Sequence, residues 1–347
     1  MVDPLVSPPA EKNRPRSTLR RVLRWSVLLG LGVPAGLIGV AVGVLLIGAN
    51  TSGGRHLIER QTTALTGGMV KIEGLGGRFP DDLHLRRLTL RDDKGLWLEL
   101  DALHLAWSPL SLVRRDVSAS LLSADRLAIP RLPAPSSSPT TTTKSTAPSS
   151  LKFGIDVAKI HIGRLEVGAP VAGVAAVFAL DGNVHLADLA PVLDGLAVDR
   201  LPDAAVAVQL RRLDADGQIR LTAATPRRAI NLHLDARDGA GGFITALAGL
   251  ETLDPAVLRV DLHGPLHDEV LDFGATAGPA NASVTGRLNL LDKSTDLTIR
   301  AHAPAMTLRP GVGWNDISLD AKLHGPLSAP MGQGHLLVDA LAAAGAG

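Results

Sequence analysis

Alternation with a period of two is the feature that most restricts what this chain can become. In LRVDLHG at 258–264, Leu258, Val260 and Leu262 fall on one side of an extended backbone, while Arg259, Asp261 and His263 fall on the other. The pattern returns at 160–167, 206–210, 219–223, 230–235, 284–290, 297–301 and 317–325, so that Leu288, Leu290, Leu297, Ile299, Ile317, Leu319 and Leu323 join one apolar set. Segments with one apolar and one polar face suit an antiparallel sheet that is wet on one side. Helical spacing is scarce: FITALAGL at 243–250 is the best internal candidate and is too short for the crossover helix of a parallel α/β domain. The expectation is a mainly β fold, an elongated and repetitive sheet.

The N-terminal third follows the same rule with a change of phase. LHLRRLTL at 83–90 puts Leu83 and Leu85 on one face, then Leu88 and Leu90, with Arg86 and Arg87 as the predicted bulge between them. DDKG at 92–95 reads as a turn, and the strand pattern runs on until Pro130 stops it. Residues 133–150, PAPSSSPTTTTKSTAPSS, have nothing to bury and read as a linker or long surface loop. DLHGPL at 261–266 and KLHGPL at 322–327 form a weak repeat, each a strand end before a Gly-Pro turn. HDEVLD at 267–272 reads as a solvated turn.

The other constraint lies before the sheet. From Trp25 to Ala49 no residue is charged, and as a helix this stretch would extend about 37 Å, enough to span a bilayer core. Trp25, Leu28, Leu31, Leu37, Ile38, Leu45 and Ile47 are its apolar anchors. Its length exceeds the ~7–15 residues of a signal-peptide core, which favours an uncleaved anchor over a cleaved leader. Arg20, Arg21 and Arg24 precede it, and this basic cluster would stay in the cytoplasm, placing everything after Asn50 on the opposite side of an inner membrane. Gly32, Gly36, Gly39 and Gly43 have the spacing of close helix pairs, although glycine is simply common in membrane helices. Residues 54–66 have helical spacing, with Leu57, Ile58, Ala64 and Leu65 apolar. The organisation expected is a basic tail at 1–24, an anchor at 25–49, a β region at 50–132, the linker at 133–150 and a repetitive sheet at 151–347.

Composition narrows the function. Without cysteine there is no disulfide, thiolate catalysis or cysteine-held zinc. Beyond residue 24 the chain holds 29 basic and 32 acidic residues, and five Phe, four Trp and no Tyr leave little stacking surface, so nucleic acid is disfavoured as a partner. G-x-x-x-x-G-K-[ST], G-x-S-x-G and H-E-x-x-H are absent, and GLGGRF at 74–79 lacks a phosphate-loop register. Histidines are spread singly, with His84, His185, His233 and His263 on polar-phase positions, and no spacing argues for a metal. No catalytic residue, cofactor or metal ligand is expected.

The order of basic tail, anchor, NTSGGRHLIERQ at 50–61, VKIEGLGGRFPDDLHLRRLTLRDDKGLWLELDALHLAWSPLSLV at 70–113 and LSADRLAIPRLP at 122–133 closely resembles the N-terminal region of the TamB family, within the wider AsmA-like group. The resemblance is specific over roughly residues 20–133 and is one of style beyond. It implies a periplasmic protein anchored in the inner membrane, with a long curled β-sheet, open along one side, around an apolar trough. It also implies phospholipid acyl chains as cargo, and autotransporter assembly with an outer-membrane barrel partner, TamA. Family members are much longer than this chain, which puts contact with the barrel in question. About 20–25 strands across the long axis would extend on the order of 100 Å. The residues themselves leave three architectures open: an open apolar trough, a dry β-sandwich acting as scaffold, and an anchored enzyme with a compact polar pocket.

Overall fold

The computed structural model describes residues 50–134, 153–189, 191, 201–239, 242–247, 255–309 and 312–343. The chain divides into two compact units, Met1–Arg55 and His56–Gly347. The Trp25–Ala49 stretch and nearly all of the linker lie outside the described residues. Among the described residues no helix is long and apolar enough to cross a membrane.

The second unit is built on one sixteen-stranded sheet in which strand order follows chain order. Strands β1 (Val70–Arg78), β2 (Asp82–Asp92), β3 (Gly95–Ser108) and β4 (Asp116–Ile129) form an antiparallel meander. Strand β5 (Gly154–Val167) lies beside β4 but parallel to it. Parallel neighbours require a long return connection, and residues 130–153, with the Pro/Ser/Thr stretch, are that connection. The segment that reads as an inter-region linker therefore joins adjacent strands of one sheet. The rest is antiparallel: β6 (Ala176–Leu186), β7 (Ala204–Arg212), β8 (Gly217–Ala224), β9 (Ala229–Asp238), β10 (Ala256–Pro265), β11 (Glu269–Ala277), β12 (Ala280–Asn289), β13 (Ser294–Arg309), β14 (Val312–Pro326) and β15 (Met331–Asp339). The short β16 (Ala342–Ala343) folds back on β14. The path runs from β1 to β15 without the two meeting, so the curled sheet does not close. Fifteen strands at about 4.8 Å spacing extend roughly 67 Å, shorter than the 20–25 strands expected from the sequence.

Local chemistry sets the turns. Between β12 and β13 the Asn289 carboxamide oxygen accepts the Leu291 and Asp292 N–H groups at 3.1 and 2.9 Å, an Asx turn. Between β3 and β4 the 3-10 turn η1 (Pro109–Arg114) is pinned by fully buried Ser111, whose hydroxyl lies 2.6 Å from the Ser108 carbonyl and 2.7 Å from that of Asp116. The sheet edge is met by α1 (Ser52–Leu65), whose Glu59 carboxylate accepts the Leu75 N–H at 2.8 Å. That hydrogen bond draws Glu59 below the usual carboxylate range. Helix α1 thus docks through a polar group, while Leu57 and Leu65 are exposed.

The phase change expected at Arg86 and Arg87 is present, but it is not a bulge: pairing to β1 and β3 stays in register through these residues, and the irregularity against β3 lies between Leu90 and Arg91. Arg86 and Arg87 are both exposed, while Leu85 and Leu88 on either side are half-buried. The phase change is not confined to β2, because Gly74 in β1 and Ala102 in β3 take left-handed backbone conformations at φ 68° and 53°. In β4 and β5 the same step carries Ala124 and Leu127 to the face of Ile162 and Leu165. Five strands shift phase together, so the apolar face stays continuous.

One further expectation is corrected and another holds. HDEVLD is not a solvated turn throughout: the turn ends at Asp268, and Glu269 opens β11 completely buried. The charge-rich hexapeptide hid a strand because its apolar partners, Leu271 and Phe273, come only after the charges. FITALAGL is helical at Phe243–Leu247, labelled α3, after the one-turn α2 (Ala169–Ala172).

Candidate apolar face of the sheet

Residues facing one another across an antiparallel ladder share a face, so the register builds the site directly. Val208, Leu221, Leu234, Val260, Phe273, Val284 and Ile299 stand side by side on the seven consecutive strands β7 to β13. The row continues through Ala321 and Gly334 in one direction. In the other it runs through Gly182, Ile160, Leu122, Leu105 and Leu83 to Gly77. It crosses all fifteen strands of the path with no polar side chain.

Two parallel rows flank it. Val206, Ala223, Leu232, Leu262, Leu271, Gly286, Leu297 and Leu323 form one. Leu210, Ile219, Ala236, Leu258, Ala275, Ala282, Ala301, Leu319 and Leu336 form the other. The opposite face carries Gln209, Arg220, Asp235, Arg259, Ser283, Arg300, Asp320 and His335 at corresponding heights. Of the ten residues the alternation selects, Leu258, Val260, Leu262, Leu288, Leu297, Ile299, Ile317, Leu319 and Leu323 lie on the apolar face. Leu290 follows β12 in its turn, donating its N–H to the Leu266 carbonyl at 2.8 Å.

Exposure distinguishes a lined surface from a sealed core. Among the described residues only nine apolar ones are buried, and seven of these are alanine; Phe178 and Leu266, each 2% exposed, are the only large ones. Val260, Phe273, Val284 and Ile299 are all half-buried. A dry sandwich would cover such side chains on both faces of its core. Arg259, Arg300 and His335 on the polar face are exposed.

One long side of the apolar face is closed over. Phe178 on β6 meets Phe243 of α3 edge-on, with ring centroids 5.2 Å apart. Beside it Arg212 and Asp238 form a buried ion pair at 3.1 Å, with side chains 5% and 1% exposed, and Arg212 also holds Asp214 at 2.9 Å. These carboxylates keep the guanidinium raised above its ordinary pKa, Asp214 foremost. Asp238 also accepts the Ile244 N–H at 2.8 Å, tying α3 to the sheet. On the other long side Glu269 is fully buried. One of its carboxylate oxygens accepts the Ile230 N–H at 3.0 Å and the other has no hydrogen-bond partner among the described residues. Burial therefore pushes Glu269 above its ordinary 4.5, offset in part by that hydrogen bond.

The polar face holds a pocket of about 420 Å³ lined by Glu99, Arg126, Glu166 and Asp214 among others. Its charges neutralise one another. Arg126 donates to Glu166 at 2.8 Å and to Asp101 at 3.2 Å, while Arg164 donates to Glu166 at 2.6 Å, holding Glu166 down to about 2. This cluster rivets the parallel β4–β5 junction, where Arg126 and Arg164 stand directly opposite each other.

No family model, curated protein or solved structure matches this chain. The functional reading therefore rests on the apolar face. Sequence alternation locates most of it, but gives no sign of Arg212, Asp238 and Glu269 on its borders. The Arg212–Asp238 and Ile230–Glu269 contacts span 26 and 39 residues, and each of these groups resembles a surface charge until the register is known.

Proposed function

We propose that this chain is a TamB-like, AsmA-like periplasmic protein, anchored in the inner membrane through Trp25–Ala49, whose apolar sheet face carries phospholipid acyl chains toward the outer membrane. Support for outer-membrane protein and autotransporter assembly with a TamA-type barrel belongs to the same reading. The observation that carries it is the Val260 row: apolar or glycine on every strand, with Val260, Phe273, Val284 and Ile299 only half-buried. Moving a ~14-methylene chain into water costs about 11 kcal/mol at 0.8 kcal/mol per methylene, and a continuous apolar surface removes most of that barrier. Because neighbouring strands offer Val, Leu, Ile and Phe at the same height, successive positions are similar in energy and an acyl chain can slide by steps of one strand spacing. The charged head stays at the open, wet edge. Exposed Leu110 and Val113 of η1, beside Arg114 and Arg115, have the chemistry to meet an anionic lipid surface.

Photocrosslinkers at Val260, Leu288 and Leu319 in cells test the reading. Lipid adducts are expected there and not at Arg259, Arg287 and Asp320 on the other face. Adducts with protein alone would replace the conduit with a scaffold.

A further inference from the structure

We propose that Asp82, His84 and His104 form a binding site for a borderline divalent transition ion of the zinc class on the polar face of the sheet. His84 and His104 occupy directly opposed positions on β2 and β3, so their side chains leave the same face as a cross-strand pair. Their rings are stacked, with centroids 4.1 Å apart and planes inclined by 17°. Asp82, two residues before His84, shares that face. One of its carboxylate oxygens lies 2.7 Å from the His104 Nε2 and 3.3 Å from the His84 Nε2. Three ligand atoms from two adjacent strands thus fall within 4.8 Å of one another.

Two zinc–nitrogen bonds of about 2.1 Å at a tetrahedral angle place the nitrogens ~3.4 Å apart, within reach of ligand atoms already less than 4.8 Å from one another. Each nitrogen's lone pair lies in its ring plane, so the two imidazoles must also tilt out of their stack to aim at one ion, a side-chain rotation that leaves the strands in place. The ion takes the place of the hydrogens shared with Asp82, and each ring carries its proton on Nδ1 instead. Gly76 stands opposite His84 on β1 without a side chain. All three side chains are partly exposed, which leaves the fourth coordination position to water or to a donor from a partner. Two imidazoles and one carboxylate suit zinc, nickel or copper, whereas magnesium and calcium favour all-oxygen sets. Twenty residues separate the two histidines, so no metal spacing appears in the sequence, and only the β2–β3 register brings them together.

Isothermal titration of the full chain in detergent with Zn2+ alone tests the site. One equivalent is expected to bind, with His84→Ala and His104→Ala each weakening it at least ~10- to 100-fold. Both residues are partly exposed, so the variants retain the sheet, which circular dichroism checks. His161→Ala, removing another exposed histidine that pairs with Asp181 at 2.7 Å, is expected to leave binding unchanged. Binding equally strong in the His84 and His104 variants, or no binding up to millimolar Zn2+, overturns the proposal.

Discussion

A single carboxylate placed in the central apolar row should act as a barrier to lipid movement. Ile299 on β13 stands between Val284 and Ala321, and Thr298, its chain neighbour, points to the opposite face between Thr285 and Lys322. A charge at full hydrocarbon depth costs about 2.5–3.5 kcal/mol on insertion scales. Ile299 is only half-buried, so a carboxylate there keeps part of its water, and about half that cost remains. The residual ~1.2–1.7 kcal/mol corresponds to a ~7- to 16-fold slower passage at about 1.4 kcal/mol per tenfold. Ile299→Asp and Thr298→Asp should be compared for transfer of a labelled phospholipid between phosphatidylethanolamine/phosphatidylglycerol vesicles, with the full chain in the donor membrane. Losing half-burial of isoleucine costs about 1–1.5 kcal/mol of stability, small enough for both proteins to remain folded, and thermal melts check this. Equal transfer rates from two folded variants would refute the assignment of the apolar face to lipid passage.

Four further outcomes follow from charged groups on the borders of that face and on the polar face behind it. Because burial raises Glu269 above its unfolded value near 4.5, the folded chain binds the extra proton, and stability falls as pH rises above that value; Glu269→Gln should remove this decline and raise the melting temperature at pH 7.5. Glu166, held down to about 2 by Arg126 and then Arg164, contributes stability that is present above pH 4.5 and lost as pH falls toward 2. Glu166→Gln should flatten that acid limb in urea titrations. Arg212→Met leaves Asp238 buried without its cation and should cost about 3–5 kcal/mol in chemical denaturation. The exposed Arg300–Asp320 pair at 3.3 Å should cost under ~1 kcal/mol when broken by Arg300→Met.

The sequence by itself determined the class of fold and the make-up of its faces, because alternation fixes which side of a strand each residue takes before any partner is known. Leu258, Val260 and Leu262 could share a face with Leu297 and Ile299 in any sheet that joined their strands. Only the tertiary structure decided register, and register turned separate stripes into one row crossing fifteen strands with two shorter rows beside it. It also decided that β4 and β5 run parallel, since a Pro/Ser/Thr-rich segment has no periodicity to say which strands it connects. Glu269, Arg212 and the His84–His104 pair were invisible for one physical reason: their burial or company comes from residues 20 to 39 positions away. A charged side chain signals nothing about its surroundings until the chain folds back on it.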